Sequence, residues 1–226
     1  MHISNQALFG LSNDHLVQLP CGVQAHHQAK AAFIALQSAA KDAGFNLQIA
    51  SSFRDFERQK AIWNGKFCGA KSILDIDNNP VDIAPLDDWQ ICQAILLFSA
   101  LPGASRHHWG CDFDYYDADG FKNDEKLQLI DTEYQHKGPC AKLCQWLFNN
   151  AKEYGFYFPY RHYLGGIACE PWHLSYHPVA KHFEQQLTPE RLKELLFDTD
   201  IEGKSAIITH IDKIYDQYIS NISEFV

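Results

Sequence analysis

Residues 105–114 read SRHHWGCDFD, with two histidines, a glycine and two aspartates in ten positions. Whether these side chains converge decides the fold around them. On a helix His107 and Asp114 would stand two turns apart, about 10.5 Å of rise, too far to share one ion. On one straight strand their odd separation sends them to opposite faces. They meet only if the chain turns between them, and Gly110 is the residue that permits a turn. Beyond it CDFDYY alternates, so Cys111, Phe113 and Tyr115 are expected to face the core and Asp112, Asp114 and Tyr116 the other side. The segment reads as a loop histidine followed by a strand that carries a carboxylate.

Helical and extended patterns surround this stretch. Ala29, Ala32, Leu36, Ala40 and Ala43 recur at helical spacing over 25–44, with Gly44 as the stop. FNLQIASSFR (45–54) predicts a strand running into a turn, and DFERQKAIWNGK a helix ending at Gly65. A helix over 86–100 presents Trp89, Cys92 and Leu96, with Pro102-Gly103 as its breaker. Residues 139–154 repeat the helical pattern up to Gly155, FYFPY predicts a short strand, and Thr188-Pro189 starts a helix. AIITHIDKIYDQYI gives a last amphipathic helix, and the acidic FDTDIEG (197–203) is the expected linker before it. Helices mixed with short strands and tight turns predict an α+β fold with a small antiparallel sheet flanked by helices. A single domain over 1–226 is expected, with its core over about 25–187 and a helical appendage over about 188–226.

The bulk numbers narrow the partners. The chain has 226 residues, 46% apolar and 21% charged, enough for a sizeable core and too apolar for disorder. A net charge of −9 without a Lys/Arg cluster excludes a nucleic-acid backbone as a general partner. No stretch is long and apolar enough to span a bilayer, and the N-terminal residues lack the pattern of an export signal, which points to a cytoplasmic protein. Seven scattered cysteines without a CxxC pair predict free thiols rather than a disulfide framework or a cysteine zinc site.

A metal site needs more than His107 and Asp114. EPWH (170–173) offers His173 as a third ligand and Glu170 beside it. Two imidazoles and one carboxylate leave a fourth position open, the pattern of a catalytic zinc site. Glu170 is spaced to act as general base. Arg54, at a strand-to-helix turn, is a cation for an oxyanion, and Gln59 is placed to hydrogen-bond a substrate carbonyl or carboxylate. Asp112 shares a strand face with Asp114 and reads as a residue for a substrate amine or for orienting a ligand. His108 is expected at the rim or behind the ligands. His162 and His177 read as ordinary polar residues near the site, with either as the alternative third ligand, and Trp172 is expected to pack and fix the His173 loop.

SSFRDFERQ, SRHHWGCDFD and EPWHLSY, in this order, resemble the three signature segments of the VanY/VanX-type D-alanyl-D-alanine carboxypeptidases, over roughly residues 45–180. These zinc peptidases share a fold with the Hedgehog N-terminal domain and lysostaphin-type enzymes. The resemblance implies zinc on His107, Asp114 and His173, Glu170 as general base and Arg54 at the transition state, with Phe53 replacing the usual tyrosine. It implies that Gln59 and Ser105 contact the terminal carboxylate of a small peptide substrate, a peptidoglycan stem peptide or precursor. Asp112 stands where small apolar residues are common, and Ser175 where many relatives carry arginine. Alternatives that keep the site are an L,D-carboxypeptidase or a stem-peptide endopeptidase, and one that discards catalysis is a zinc-containing binding module.

Overall fold

The structure, a computed structural model, describes residues 3–122 and 125–225. Six strands are present among them: β1 Leu16–Gln18, β2 Gln24–His26, β3 Leu47–Ser51, β4 Asp112–Asp117, β5 Phe156–Tyr157 and β6 His173–Tyr176. The first two form a hairpin, and the other four an antiparallel sheet in the order β3-β4-β6-β5. Short antiparallel strands among helices make this an α+β fold, as the sequence predicts.

The alternation of β4 divides the sheet chemically. Asp112 lies opposite Ser175, Phe113 opposite Leu174 and Asp114 opposite His173 in the β4–β6 pairing. Side chains alternate along a strand, so the apolar pair points one way and the two polar pairs the other. Helix His27–Asp42 covers the apolar side, burying Ala29, Phe33, Leu36 and Ala40. The Phe33 ring lies 5.0 Å from that of Phe113, and Phe113 lies 6.0 Å from Phe156. Truncating Phe33 to alanine in so close-packed a site would cost roughly 3–5 kcal/mol. The polar side of the sheet is also buried, since Asp112, Asp114, His173 and Ser175 are nearly inaccessible.

Gly110 makes the turn into β4. Its φ is 67°, and an added Cβ would lie 2.4 Å from Leu16 Cδ2 and 3.0 Å from the His26 nitrogen. The close approach lets the His26 amide donate to the Gly110 carbonyl at 2.7 Å, tying the β1–β2 hairpin to the loop.

Several boundaries differ from the sequence expectation. The helix expected to stop at Gly65 spans Phe56–Phe67, capped by Asp55, whose side chain accepts from the Arg58 amide at 2.7 Å. An internal glycine costs only about 1 kcal/mol, which the burial of Trp63 offsets. The helix expected over 86–100 is shorter, Asp88–Leu96, and the residues after it turn toward a cleft. The 197–203 segment is not a linker. Ile201 is buried, Trp63 Nε1 donates to the Glu202 carbonyl at 3.0 Å, and the Glu202 amide donates to Asn64 Oδ1 at 3.0 Å. The last amphipathic stretch breaks into Lys204–Thr209, Ile211–Ile214 and a π turn over Tyr215–Ile219. Leu192, Leu196, Ile207, Ile211 and Ile214 join the same hydrophobic cluster as Phe33 and Phe113.

Candidate metal centre and cleft

The 3₁₀ turn Arg106–Trp109 delivers His107 to the polar side of the sheet, beside Asp114 on β4 and His173 on β6. The three residues offer ligand atoms that all lie within 4.8 Å of one another. Each imidazole has one nitrogen committed elsewhere. His107 Nδ1 donates to the Ser52 carbonyl at 2.8 Å, and its Nε2 faces Asp114 Oδ2 at 3.4 Å. His173 Nε2 donates to Asp112 Oδ1 at 2.9 Å, and its Nδ1 faces Asp114 Oδ1 at 3.4 Å and Glu170 Oε2 at 3.5 Å. Two lone-pair nitrogens and a carboxylate thus converge on one point.

These residues fit a metal ion. Asp114 Oδ1 is buried without a hydrogen-bond partner among the described residues. A buried, unpaired carboxylate oxygen is costly unless a cation meets it. Tetrahedral bonds of about 2.0–2.1 Å put ligand atoms ~3.3 Å apart, close to the 3.4 Å that separates Asp114 from each imidazole. The cluster is compatible with zinc. Burial would push the Asp114 carboxyl up, but the His107 and His173 imidazoles hold it below the usual carboxylate range. Burial likewise disfavours charge on His173, yet Asp112, Asp114 and Glu170 raise it well above the ordinary imidazole value.

Asp112 sits behind the ligands rather than in the cleft. It is fully buried and absent from the cleft lining. Besides His173 it accepts from Arg106 Nε at 2.7 Å and from Ser175 Oγ at 3.1 Å. Burial opposes its ionisation, but the Arg106 guanidinium and His173 hold its carboxyl at about 2. Asp112 has no position from which to meet a substrate amine; it fixes the tautomer and orientation of His173, as carboxylates behind metal-ligating histidines do. Arg106 also donates to Glu184 Oε1 at 2.6 Å, Tyr157 Oη at 3.1 Å and Ser175 Oγ at 2.7 Å. In this chain the guanidinium beside Ser175 therefore comes from the loop, not from position 175.

A cleft of about 320 Å³ opens over the cluster, bordered by Arg54, Lys66, Ser99, Ser105, Tyr160 and Glu170 among others. Arg54 stands in the turn between β3 and helix Phe56–Phe67, where its amide donates to the His107 carbonyl at 3.1 Å. Its Nη1 donates to Gln59 Oε1 at 2.8 Å. Burial lowers the Arg54 pKa, and the carboxylates of Asp114 and Glu170 oppose that shift. Gln59 is fully buried, and its Nε2 donates to the Ala100 carbonyl at 2.7 Å. With both ends of its amide engaged and no place on the cleft wall, Gln59 positions Arg54 instead of contacting a substrate. Ser105 does reach the cleft, and its hydroxyl makes no capping bond to the turn it precedes.

His108 lies behind the site, its Nδ1 donating to the Arg54 carbonyl at 2.6 Å while its Nε2 accepts from the Gly103 amide at 3.1 Å. Burial lowers its pKa to about 4, consistent with the neutral ring this pattern requires. His162 is exposed, and His177 stacks on Phe225 at 4.3 Å; neither lines the cleft. Trp172 borders the cleft and packs near Tyr134. Arg106, Tyr160 and Lys66 have no role in the sequence reading. For Lys66 the available signal was its helical spacing from Gln59, which places the two on one face.

The family model for VanY, D-alanyl-D-alanine carboxypeptidase, matches residues 22–179. The chain belongs to the VanY family. VanY-family membership makes it a peptidase-family protein, and the matched span includes all three converging residues. Among similar proteins, one uncharacterized protein of Haemophilus influenzae is 51% identical over 105 residues, covering 45% of this chain and 72% of that one. A second from the same organism is 34% identical over 121 residues, covering 53% of this chain and 92% of its own length. VanYB in complex with D-alanine-D-alanine shares the fold, with a TM-score of 0.52 and 22% identity over 82% of this chain and 89% of that one. The LdcB LD-carboxypeptidase gives a TM-score of 0.50 and 22% identity over 77% and 75%. No helix among the described residues of this VanY-family chain is long and apolar enough to cross a membrane.

Proposed function

We propose that this protein is a zinc-dependent carboxypeptidase that removes the C-terminal residue from short peptides ending in a D-amino acid, of the D-alanyl-D-alanine kind found in peptidoglycan stems. The observation that carries the reading is the convergence of His107, Asp114 and His173 under a cleft that also holds Glu170 and Arg54. The substrate class draws its support from the VanY match and from the ligand of the VanYB complex.

His107 through Nε2, His173 through Nδ1 and the Asp114 carboxylate would hold the ion. Zinc, when bound, acidifies a water to near-neutral pKa and polarises a carbonyl. Glu170, within 3.5 Å of His173 Nδ1, stands beside that position and takes the proton from the attacking water. The same carboxyl then returns the proton to the leaving amine. Arg54, held by Gln59, directs its guanidinium to the oxygen on which negative charge develops. Asp112 keeps the His173 ring from rotating or switching tautomer while this happens. A non-catalytic zinc module would have no use for Glu170 and Arg54 at the cleft wall.

The test is digestion of a panel of synthetic stem peptides by the zinc-quantified protein, with products read by mass spectrometry. Equimolar zinc, release of the terminal D-residue, and loss of release in Glu170→Gln with zinc retained are expected. Peptides ending in D-Ala-D-Ala, peptides ending in an L-D bond and internally cleavable stems separate the D,D-, L,D- and endopeptidase activities. A protein that binds no zinc, or a Glu170→Gln variant as active as the wild type, would overturn the reading.

A further inference from the structure

Three lysine or arginine side chains border the cleft: Arg54, Lys66 and Arg106. Two already have a task. Arg106 is paired with Asp112 and Glu184, while Arg54, bonded to the neutral Gln59 side chain, is the cation the proposed reaction uses at the oxyanion. Lys66 has neither a carboxylate partner among the described residues nor a part in that reaction. Its ammonium donates to Ser99 Oγ at 2.8 Å and has no ion-pair partner among the described residues. An ammonium keeps three donors, so a neutral hydroxyl leaves capacity for an anion. Burial lowers the Lys66 pKa, and Glu170 is the carboxylate that most opposes this. The side chain is half-buried, so a charge has been drawn partly out of water without a fixed counter-charge.

Position supplies the second half of the argument. Lys66 and Gln59 lie two turns apart on helix Phe56–Phe67, and Ser99-Ala100 bridges them, through Ser99 Oγ to Lys66 and the Ala100 carbonyl to Gln59. Lys66 is therefore on the Arg54 side of the cleft, displaced along the helix from the guanidinium. The terminal carboxylate of a substrate is likewise one residue past the bond being cut. Gln59, which the family resemblance assigns to that carboxylate, has both ends of its amide engaged in the protein.

We infer that Lys66, steadied by Ser99, binds the C-terminal carboxylate of the peptide substrate and thereby sets exopeptidase specificity. Ser105 supplies a neutral hydroxyl to the same cleft. The inference rests on the peptidase reading and deepens it by naming the anion-recognising group.

The experiment compares the zinc-loaded full chain on an N-acylated D-Ala-D-Ala peptide and on the same peptide with a C-terminal amide. The wild type is expected to favour the acid. In Lys66→Met the acid-to-amide ratio of kcat/KM should fall roughly ten- to a hundredfold, the range of a lost charge-assisted hydrogen bond, with the change mainly in KM. Lys66→Arg should recover part of the ratio. A third peptide carrying an additional side-chain carboxylate at the penultimate residue tests the other possible anion. An effect of Lys66→Met that follows this internal carboxylate overturns the inference, as does an unchanged acid-to-amide ratio. The wild type can refute the assignment even if Lys66→Met fails to fold, and Lys66→Arg then carries the comparison: cleavage without preference for the acid sinks the Lys66 assignment alone. No cleavage of any peptide sinks the peptidase reading.

Discussion

Replacing Asp112 by asparagine separates the charge behind His173 from the packing around it. Oδ1 of Asp112 accepts from His173 Nε2 at 2.9 Å and Arg106 Nε at 2.7 Å, and Oδ2 accepts from Ser175 Oγ at 3.1 Å. An asparagine of the same shape retains an oxygen for the first two donors. Its amide nitrogen must then face Ser175 Oγ, which rotates to accept. Arg106 stays paired with Glu184 at 2.6 Å, so the fold keeps a counter-charge. What disappears is the negative charge that makes His173 a stronger base toward the ion. Losses of such outer carboxylates weaken metal binding about 10–100-fold, or roughly 1.4–2.7 kcal/mol. Competition against a chromophoric chelator reads this directly, with thermal melts in chelator as the folding control. Asp112→Ala is the harsher comparison: it strands the Arg106 Nε and His173 Nε2 donors in a buried site, at a cost of about 3–5 kcal/mol in stability. Zinc affinity within twofold of wild type in a folded Asp112→Asn protein would refute the claim that Asp112 acts through His173.

Three further outcomes follow from other parts of the site and its frame. Arg54→Lys shortens the fork that Gln59 holds and should lower kcat by about 10²–10³ with zinc content unchanged; unaltered kcat would remove Arg54 from charge stabilisation. Gly10 has φ of 70°, and a Cβ there would lie 2.4 Å from His108 Nδ1, the donor to the Arg54 carbonyl. Gly10→Ala should cost at least ~1 kcal/mol from the backbone alone, lowering Tm by more than roughly 2 °C in a calorimetric scan, and reduce activity through the displaced ring. His26, buried and beside His27 and His15, has its pKa pushed down to about 3, and its Nδ1 accepts from the Gln28 amide at the start of helix His27–Asp42. The fold favours neutral His26, so the unfolded chain binds the extra proton: the stabilisation is complete above pH 6.5 and is lost as pH falls toward 3, at up to ~1.4 kcal/mol per unit. His26→Asn keeps a cap acceptor without the titration, and denaturant midpoints at pH 6.5 and 5.5 should differ less than in wild type.

What the sequence makes legible here is local, and what it hides is cross-strand. The alternation of CDFDYY, with Gly110 before it, is enough to put Asp112 and Asp114 on one face and Phe113 on the other, as β4 has them. The start of helix Phe56–Phe67 is equally local, since Asp55 caps it from the adjoining turn. Its end is not, because Gly65 is carried by Trp63, whose anchor is the Glu202 carbonyl more than a hundred residues away. The same distance in sequence defeats the linker reading of 197–203: an acidic stretch looks solvated until Ile201 and the Glu202 backbone meet helix Phe56–Phe67. Gln59 reads as a substrate-facing amide because nothing nearby in the chain reveals that Ala100 and Arg54 will use both of its ends.

Asp112 shows most sharply where the line falls. Alternation assigns it the same face as Asp114 but cannot say what lies above it, since that depends on the pairing of β4 with β6. The observed register sets Asp114 opposite His173 and Asp112 opposite Ser175, so the pair nearer the cleft presents ligand atoms while the deeper pair meets Arg106. His173 bridges the two, turning Nδ1 toward Asp114 and Nε2 toward Asp112. A slip of one residue between the strands would carry His173 to the phenylalanine side of the sheet. A slip of two would set His173 opposite a different aspartate or none, leaving a buried imidazole without this division of labour. The hydrophobic pairing of Phe113 with Leu174, buried against helix His27–Asp42, is what forbids the one-residue slip. Core packing on one face of the sheet thereby determines ligand geometry on the other.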